Sequence, residues 1–195
     1  MSMPKKRKII SEEDETDLEN ISSKGNVVYF HSHVSRTTVH CLIHELNAAC
    51  DYLKQIRPSG SDLRIKLYIH SEGGELHAGL SAMEHIKNCE FDVDTYVDGY
   101  VASAGTLLLL GGKRRFMNKY SELLIHQFTI GMGGQWKHTE LSEQHMNNEK
   151  LMKMFKAIYK EKTKIPTKVL NTILTKEVSL MPEECLEYRI VDELT

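Results

Sequence analysis

The sequence predicts an α/β fold, with parallel strands and helices on the sheet faces. Two observations carry that prediction. Short runs of branched and aromatic residues alternate with longer stretches whose apolar residues recur at helical spacing. Glycine- and proline-containing breaks, such as Ser71-Glu72-Gly73-Gly74 and Arg57-Pro58-Ser59-Gly60, fall between them, and the pattern persists from about Gly25 almost to Thr195.

Taken in order, Val27 to Phe30 reads as a short buried strand. From Arg36 to about Ile56, Val39, Leu42, Ile43, Leu46, Ala49 and Leu53 recur at the spacing of one helix face. Ile65 to Ile69 is a second strand, and Leu76 to about Asn88 a second helix. Val93 to Val97 forms a third strand, and a junction rich in glycine and alanine leads into a helix from Ala104 to Leu110. Lys113 to Met117 and Glu122 to Ile125 are further short strands. After Gly131-Met132-Gly133-Gly134, one long helix runs from about His138 to Lys162. Ile165-Pro166 opens the next helix, because proline is tolerated in a first turn, where its missing N–H costs nothing. A last helix near Pro182 to Tyr188 precedes a closing strand at Ile190-Val191.

Composition narrows the class without naming a chemistry. A chain of 195 residues suits one domain that buries a core without disulfides. A formal net charge of -2 exerts no general pull on nucleic acid or membrane. No apolar run approaches the ~20 residues a bilayer span needs, and the charged N-terminus is not followed by the apolar stretch of a secretory signal. Cys41, Cys50, Cys89 and Cys185 are scattered without a Cys-x-x-Cys pair, which suits reduced thiols in the cytoplasm better than disulfides or zinc. Residues 1–25 carry Lys5-Lys6-Arg7-Lys8 and then Glu12-Glu13-Asp14-Glu15, with few apolar residues, and read as a flexible arm before a domain at 26–195. The basic cluster has the composition of a nuclear localisation or nucleic-acid contact, but it reads rather as part of a solvated arm whose charges largely cancel.

Three features carry chemistry. The run from Leu67 to Leu76 ends a strand on Gly73-Gly74, a pair that lets backbone approach a ligand and turns an N–H outward. It lacks the lysine and hydroxyl pattern of a phosphate loop. In Gly99-Tyr100-Val101-Ala102-Ser103-Ala104-Gly105-Thr106, a serine between small residues opens an apolar helix. Adjacent N–H groups and the helix's positive end suit an activated hydroxyl, although serine is also an ordinary helix cap. Val101 rules out the Gly-x-Ser-x-Gly spacing of an α/β-hydrolase elbow. In Leu124-Ile125-His126-Gln127-Phe128, a histidine ending a buried strand is well placed to be held as a base. Each feature alone has a plain structural explanation. Their order, glycine pair then serine then histidine, each at a strand end, is the stronger signal.

With that order, and with Glu187-Tyr188-Arg189-Ile190-Val191-Asp192 near the C-terminus, the chain resembles the proteolytic subunit of the Clp protease family from about Val27 onward. The resemblance implies a ClpP/crotonase-like spiral of strand-helix units with a protruding handle. It implies a serine endopeptidase with Ser103 as nucleophile, His126 as base, and the N–H groups of Gly74 and Ala104 as oxyanion hole. Gly73, Gly74 and Glu75 would bind substrate, the backbone after Gly74 pairing with an unfolded polypeptide as an added strand. It implies a homo-oligomer of stacked heptameric rings fed by an AAA+ unfoldase, which uses the ATP. This chain itself is expected to hold no cofactor or metal.

Several positions depart from the family pattern. Glu177 stands where the family has an aspartate as third triad member, and its extra methylene must be accommodated. Phe128 replaces a proline, the Gly131-to-Gln135 segment is lengthened in the handle region, and Arg189 replaces a helix-end glycine. Two other readings compete: a catalytically weak or inactive ring subunit, and a crotonase-type acyl-CoA enzyme, which needs acidic bases in place of Ser103 and His126. Elsewhere, His40 and His44 beside Glu45 lack the His-Glu-x-x-His order of a metalloprotease. His31 and His33 are expected at the surface, and Met146, Met152, Met154, Phe155 and Ile158 in core or interface.

Overall fold

The computed structural model describes residues 18, 20–56, 63–129, 131 and 133–195. The arm's basic and acidic clusters lie outside them. The last stretch assigned to the arm is structured, however: β1 (Ile21–Lys24) pairs antiparallel with β2 (Val27–His31) across a turn with Gly25 at φ 64°. Ile21–Lys24 thus belongs to the same sheet as β2. Two serines hid this strand, because Ile21 alone faces the core while Ser22 and Lys24 face water.

The remaining elements follow the predicted alternation. They are α1 (Arg36–Ile56), β3 (Ile65–Ser71), α2 (Leu76–Lys87), β4 (Val93–Ala102), α3 (Gly105–Gly111), β5 (Arg114–Met117) and β6 (Glu122–Leu124). Then come α4 (His138–Lys162), α5 (Thr167–Thr175), α6 (Pro182–Glu187) and β7 (Glu193–Leu194). Among the described residues, seven strands form one sheet in the order β1-β2-β3-β4-β5-β7, with β6 also on β4. All pairs but β1–β2 are parallel, as strand-helix alternation requires.

The helices α1, α2 and α3 gather on one face. Along β2, β3 and β4, Val28, Phe30, Ile65, Leu67, Ile69, Val93 and Val97 alternate toward them, and all are buried. The opposite face is only partly covered. There, in register, Tyr29, Tyr68, Tyr96 and Phe116 stack across four strands with ring centroids 4.6–5.5 Å apart. Asp94 is buried beside the ladder, where Arg114 and Arg64 compensate its charge.

β4 is the element that positions the site. Its first half, Asp94–Val97, pairs with β5, and its second half, Tyr100–Ala102, pairs on the same edge with β6. Between the halves the register with β3 shifts: Ile69 lies opposite Val97 but Ser71 opposite Val101. The extra residues are held by His70, whose Nδ1–H donates to the Asp98 carbonyl at 2.8 Å, and by Ser121 Oγ, which accepts from the Gly99 N–H at 3.0 Å. Gly99 has φ 82°, and a Cβ there would come 3.2 Å from the His70 ring. The sequence predicted a strand ending at Val97, because the aspartate and glycine that form the bulge read as a terminator. At the C-terminus, buried Ile190 and Val191 belong to the turn after α6, and the closing strand is Glu193–Leu194.

The cysteines are less scattered in space than in sequence. Cys50 and Cys89 Sγ atoms lie 3.4 Å apart as free thiols, and burial pushes the Cys89 thiol up to about 12. His40, His44 and His33 are exposed, with His44 Nδ1 3.1 Å from Glu45. Among the described residues no helix is long and apolar enough to cross a membrane.

Candidate active site

Strand ends supply the site. β4 ends at Ala102 and runs into Ser103, whose N–H donates to the Leu124 carbonyl of β6 at 2.9 Å. That bond continues the parallel ladder by one step past Ala102–Leu124. β6 therefore delivers buried Ile125 and then His126 beside the serine. Adjacency follows from the pairing register alone.

The serine then leaves the strand in the left-handed region, at φ 52°. For a non-glycine residue this costs roughly 1–2 kcal/mol. Its carbonyl is held twice, accepting from the Thr106 N–H at 3.1 Å and from the Thr106 Oγ1–H at 2.6 Å. On its other side Gly73, at φ 98°, packs so close that a Cβ would fall 2.5 Å from Ser103 Cβ. The glycine pair's first member is thus required by contact as well as by torsion.

Gly74, at φ 145°, is pressed against Val34, whose carbonyl oxygen would lie 2.1 Å from an added Cβ. Val34 staples this loop: its N–H donates to the Gly73 carbonyl at 2.6 Å, and its carbonyl accepts from the Glu75 N–H at 2.8 Å. The Gly73 N–H donates to Ser71 Oγ at 3.1 Å. Both polar groups of Gly73 are therefore spent on the loop itself. Among the described residues, the N–H groups of Gly74 and Ala104 donate to no protein acceptor. Two unpaired backbone donors at one concavity form an electrophilic niche for a developing negative charge.

A cavity of about 170 Å³ brings these parts together. Gly74, Glu75, Ser103, Ala104 and His126 line it, and Leu76, Phe128, Thr129 and Phe155 complete its wall. Of the catalytic, oxyanion and substrate-binding residues expected from the sequence, Gly73 and Glu177 do not line it; Gly73 sits behind Ser103.

Glu177 lies in the link between α5 and Leu180. That link is pinned by a Leu123–Leu180 antiparallel bridge, and the Gln127 N–H donates to the Leu174 carbonyl at 3.0 Å. The carboxylate reaches His126, with Oε1 3.8 Å from Nδ1, a charge contact longer than a hydrogen bond. The glutamate side chain is 80% exposed and the histidine 23%. Among the described residues, no hydrogen bond joins Ser103 Oγ to His126. Serine, imidazole and carboxylate are neighbours, and their hydrogen-bonded chain is open.

The sequence reading missed Phe155 and Thr129 as cavity wall. Phe155 is buried on α4 at the spacing of a core residue, and nothing local distinguishes core from cavity. Of its helix companions, Met152 and Ile158 pack on the core while Met146 and Met154 are exposed. Thr106 and Tyr159 were also passed over: their hydroxyls meet in the interior behind Ser103.

A family model described as Clp protease matches residues 16–195. The chain is 30% identical over 150 residues to an ATP-dependent Clp protease proteolytic subunit of Cyanophora paradoxa, covering 76% of each protein. It is 30% identical over 185 residues to the chloroplastic ATP-dependent Clp protease proteolytic subunit 3 of Arabidopsis thaliana, covering 92% of this chain and 56% of that protein. Among solved structures, a mutant ClpP1 of Listeria monocytogenes superposes with a TM-score of 0.72 over 93% of this chain and 94% of that one. At 19% identity that likeness speaks to the fold, which is the α/β fold the resemblance implied.

Proposed function

The chain belongs to the Clp protease family, and on that premise we propose that it is a serine endopeptidase acting through an acyl-enzyme. The supporting observation is the cavity that holds Ser103, His126 and the two unpaired N–H groups of Gly74 and Ala104. His126 takes the Ser103 Oγ proton as Oγ attacks the peptide carbonyl, and the N–H groups bind the oxyanion. The C–N bond breaks as the imidazolium gives its proton to the leaving amine. Water, deprotonated by His126, then releases the acyl group. Glu177 faces the other ring nitrogen, with Oε1 3.8 Å from Nδ1. The substrate strand pairs along the backbone just after Gly74, through the Gly74 carbonyl, because the Glu75 N–H and both polar groups of Gly73 are engaged elsewhere.

The substrates are unfolded polypeptides, delivered to stacked heptameric rings of this chain by an AAA+ unfoldase that spends the ATP. The working compartment is the cytoplasm. Apolar side chains exposed along α4, namely Leu141, Met146 and Met154, support burial of this helix against another copy.

The open Ser103–His126–Glu177 chain favours a second reading, a ring subunit that is weak or inactive until its partners close it. One experiment separates the readings. Purified wild type, as its native assembly, is treated with a fluorophosphonate probe and assayed on short fluorogenic peptides beside Ser103→Ala. The first reading expects labelling at Ser103 and a loss of at least ~10³-fold in the variant. Unlabelled wild type supports the second reading, and Ser103→Ala cleaving at the wild-type rate removes the first.

A further inference from the structure

Behind the Ser103 turn lies a polar chain in an otherwise apolar interior. Tyr159, on α4, is wholly buried, and among the described residues its hydroxyl has one partner, the Oγ1 of Thr106. Thr106 Oγ1 in turn lies 2.6 Å from the Ser103 carbonyl oxygen. The direction of the chain follows from counting hydrogens. A carbonyl only accepts, so the single Thr106 hydroxyl hydrogen is used on Ser103. Thr106 must then accept from Tyr159, and the order is Tyr159 O–H to Thr106 O–H to the Ser103 C=O. Tyr159 remains a neutral donor, because burial pushes its ionisation far up.

The carbonyl at the end of this chain belongs to the Ser103–Ala104 peptide unit. The other end of that unit is the Ala104 N–H, one of the two unpaired donors at the cavity. Hydrogen bonds to a peptide oxygen draw electron density from its nitrogen and strengthen the N–H as a donor, by roughly 10–30% per bond. They also help fix the plane of the peptide, adding to the Thr106 N–H that already holds its carbonyl. We infer that Tyr159 and Thr106 are positioning residues for the oxyanion site, holding and polarising the Ser103–Ala104 peptide so that its N–H is aimed and strengthened. The inference rests on the proposed acyl-enzyme reading. It adds a dependence of transition-state binding on α4, since Phe155, one turn before Tyr159, lines the same cavity and meets the Tyr159 ring edge-on at 5.0 Å.

The test uses the full chain in its native assembly and short peptide substrates. Tyr159→Phe removes one oxygen and keeps the ring. Thr106→Val keeps the shape and breaks both bonds, and Thr106→Ser restores the hydroxyl. Removing an oxyanion donor outright costs roughly 10²–10³-fold in kcat, so weakening one is expected to cost about 10-fold, with KM nearly unchanged. Affinity for a peptide boronic acid, whose tetrahedral adduct places an oxyanion in the site, should fall in parallel, and Thr106→Ser should behave as wild type. In Thr106→Val the Tyr159 hydroxyl is left unpaired, so adding Tyr159→Phe should recover thermal stability without recovering kcat. Recovery of kcat together with stability, or an unchanged kcat and boronate affinity in Tyr159→Phe, overturns the inference. If wild type is not labelled at Ser103, the acyl-enzyme reading itself fails, and the inference with it. If wild type is labelled and the variants match it, the inference fails alone.

Discussion

Among the described residues, two that are not glycine hold a left-handed backbone: Ser103 at φ 52° and Arg189 at φ 50°. The torsions are nearly equal and the settings are opposite. Arg189 is exposed at the end of α6, in a helix stop where its N–H reaches the Leu186 carbonyl at 3.1 Å and the Ile190 N–H reaches Cys185 at 2.8 Å. Its strain reverses the chain and drops Ile190 and Val191 into the core. Ser103 is gripped from several sides, by Leu124, by Thr106 and by Gly73 packed against its Cβ. At Arg189 the conformation is what matters and the side chain is incidental. At Ser103 the conformation exists to present the side chain, with an unpaired N–H beside it.

The contrast can be broken most forcefully at Gly73. Gly73→Ala sets a methyl against Ser103 Cβ at 2.5 Å and against the Ala102 carbonyl at 2.8 Å, on a residue with φ 98°. Strain and overpacking together predict a loss of roughly 3 kcal/mol or more in chemical denaturation, and loss of fluorophosphonate labelling at Ser103. A variant within about 1 kcal/mol of wild type that still labels would mean the turn is not gripped as described.

Glu177 tests how far the rigidity of the Ser103 side extends. Its carboxylate is exposed and 3.8 Å from His126, so Glu177→Ala should lower kcat/KM by about 10-fold or less. A buried triad carboxylate contributes about 10⁴-fold, and a loss of that size would show that the chain closes when substrate binds.

The smallest effect is expected at Arg189. Replacing it by glycine relieves the torsion, and the Arg189 side chain makes no ion pair among the described residues. Arg189→Gly should therefore stabilise by about 1 kcal/mol, with peptidase activity unchanged. No gain would mean that the looser unfolded chain offsets the relieved strain.

Much of the fold was legible because its signals are local. The apolar period of α1 from Val39 to Leu53 predicted a helix at Arg36–Ile56, and the run from Ile65 to Ile69 predicted β3 within two residues of its end. Where the signal was weak the reading failed: Ile21–Lys24 offers a single buried apolar residue, and Asp98-Gly99 broke the pattern of a strand that continues. The departure at Arg189 was legible as a substitution, and the structure shows the left-handed backbone that the arginine holds. In the candidate site, Ser103 and His126 were singled out by their order with the glycine pair, Gly74 and Ala104 through the family resemblance, and all four line one cavity. Phe155 and Thr129 were not singled out, since a cavity wall and a core wall use the same residues.

From the sequence by itself follow the alternation of strand and helix, the strand ends that carry glycine, serine and histidine, and the family whose order they share. Those are properties of neighbouring residues, and period and turn chemistry record them. Only the tertiary structure decided that β4 splits its edge between β5 and β6, which is what sets Ser103 beside His126. It alone decided that Glu177 stands loosely at 3.8 Å, and that Tyr159 reaches across 53 positions to bind Thr106. A hydrogen bond between residues that far apart depends on how helices pack on a sheet, and packing leaves no period in the chain.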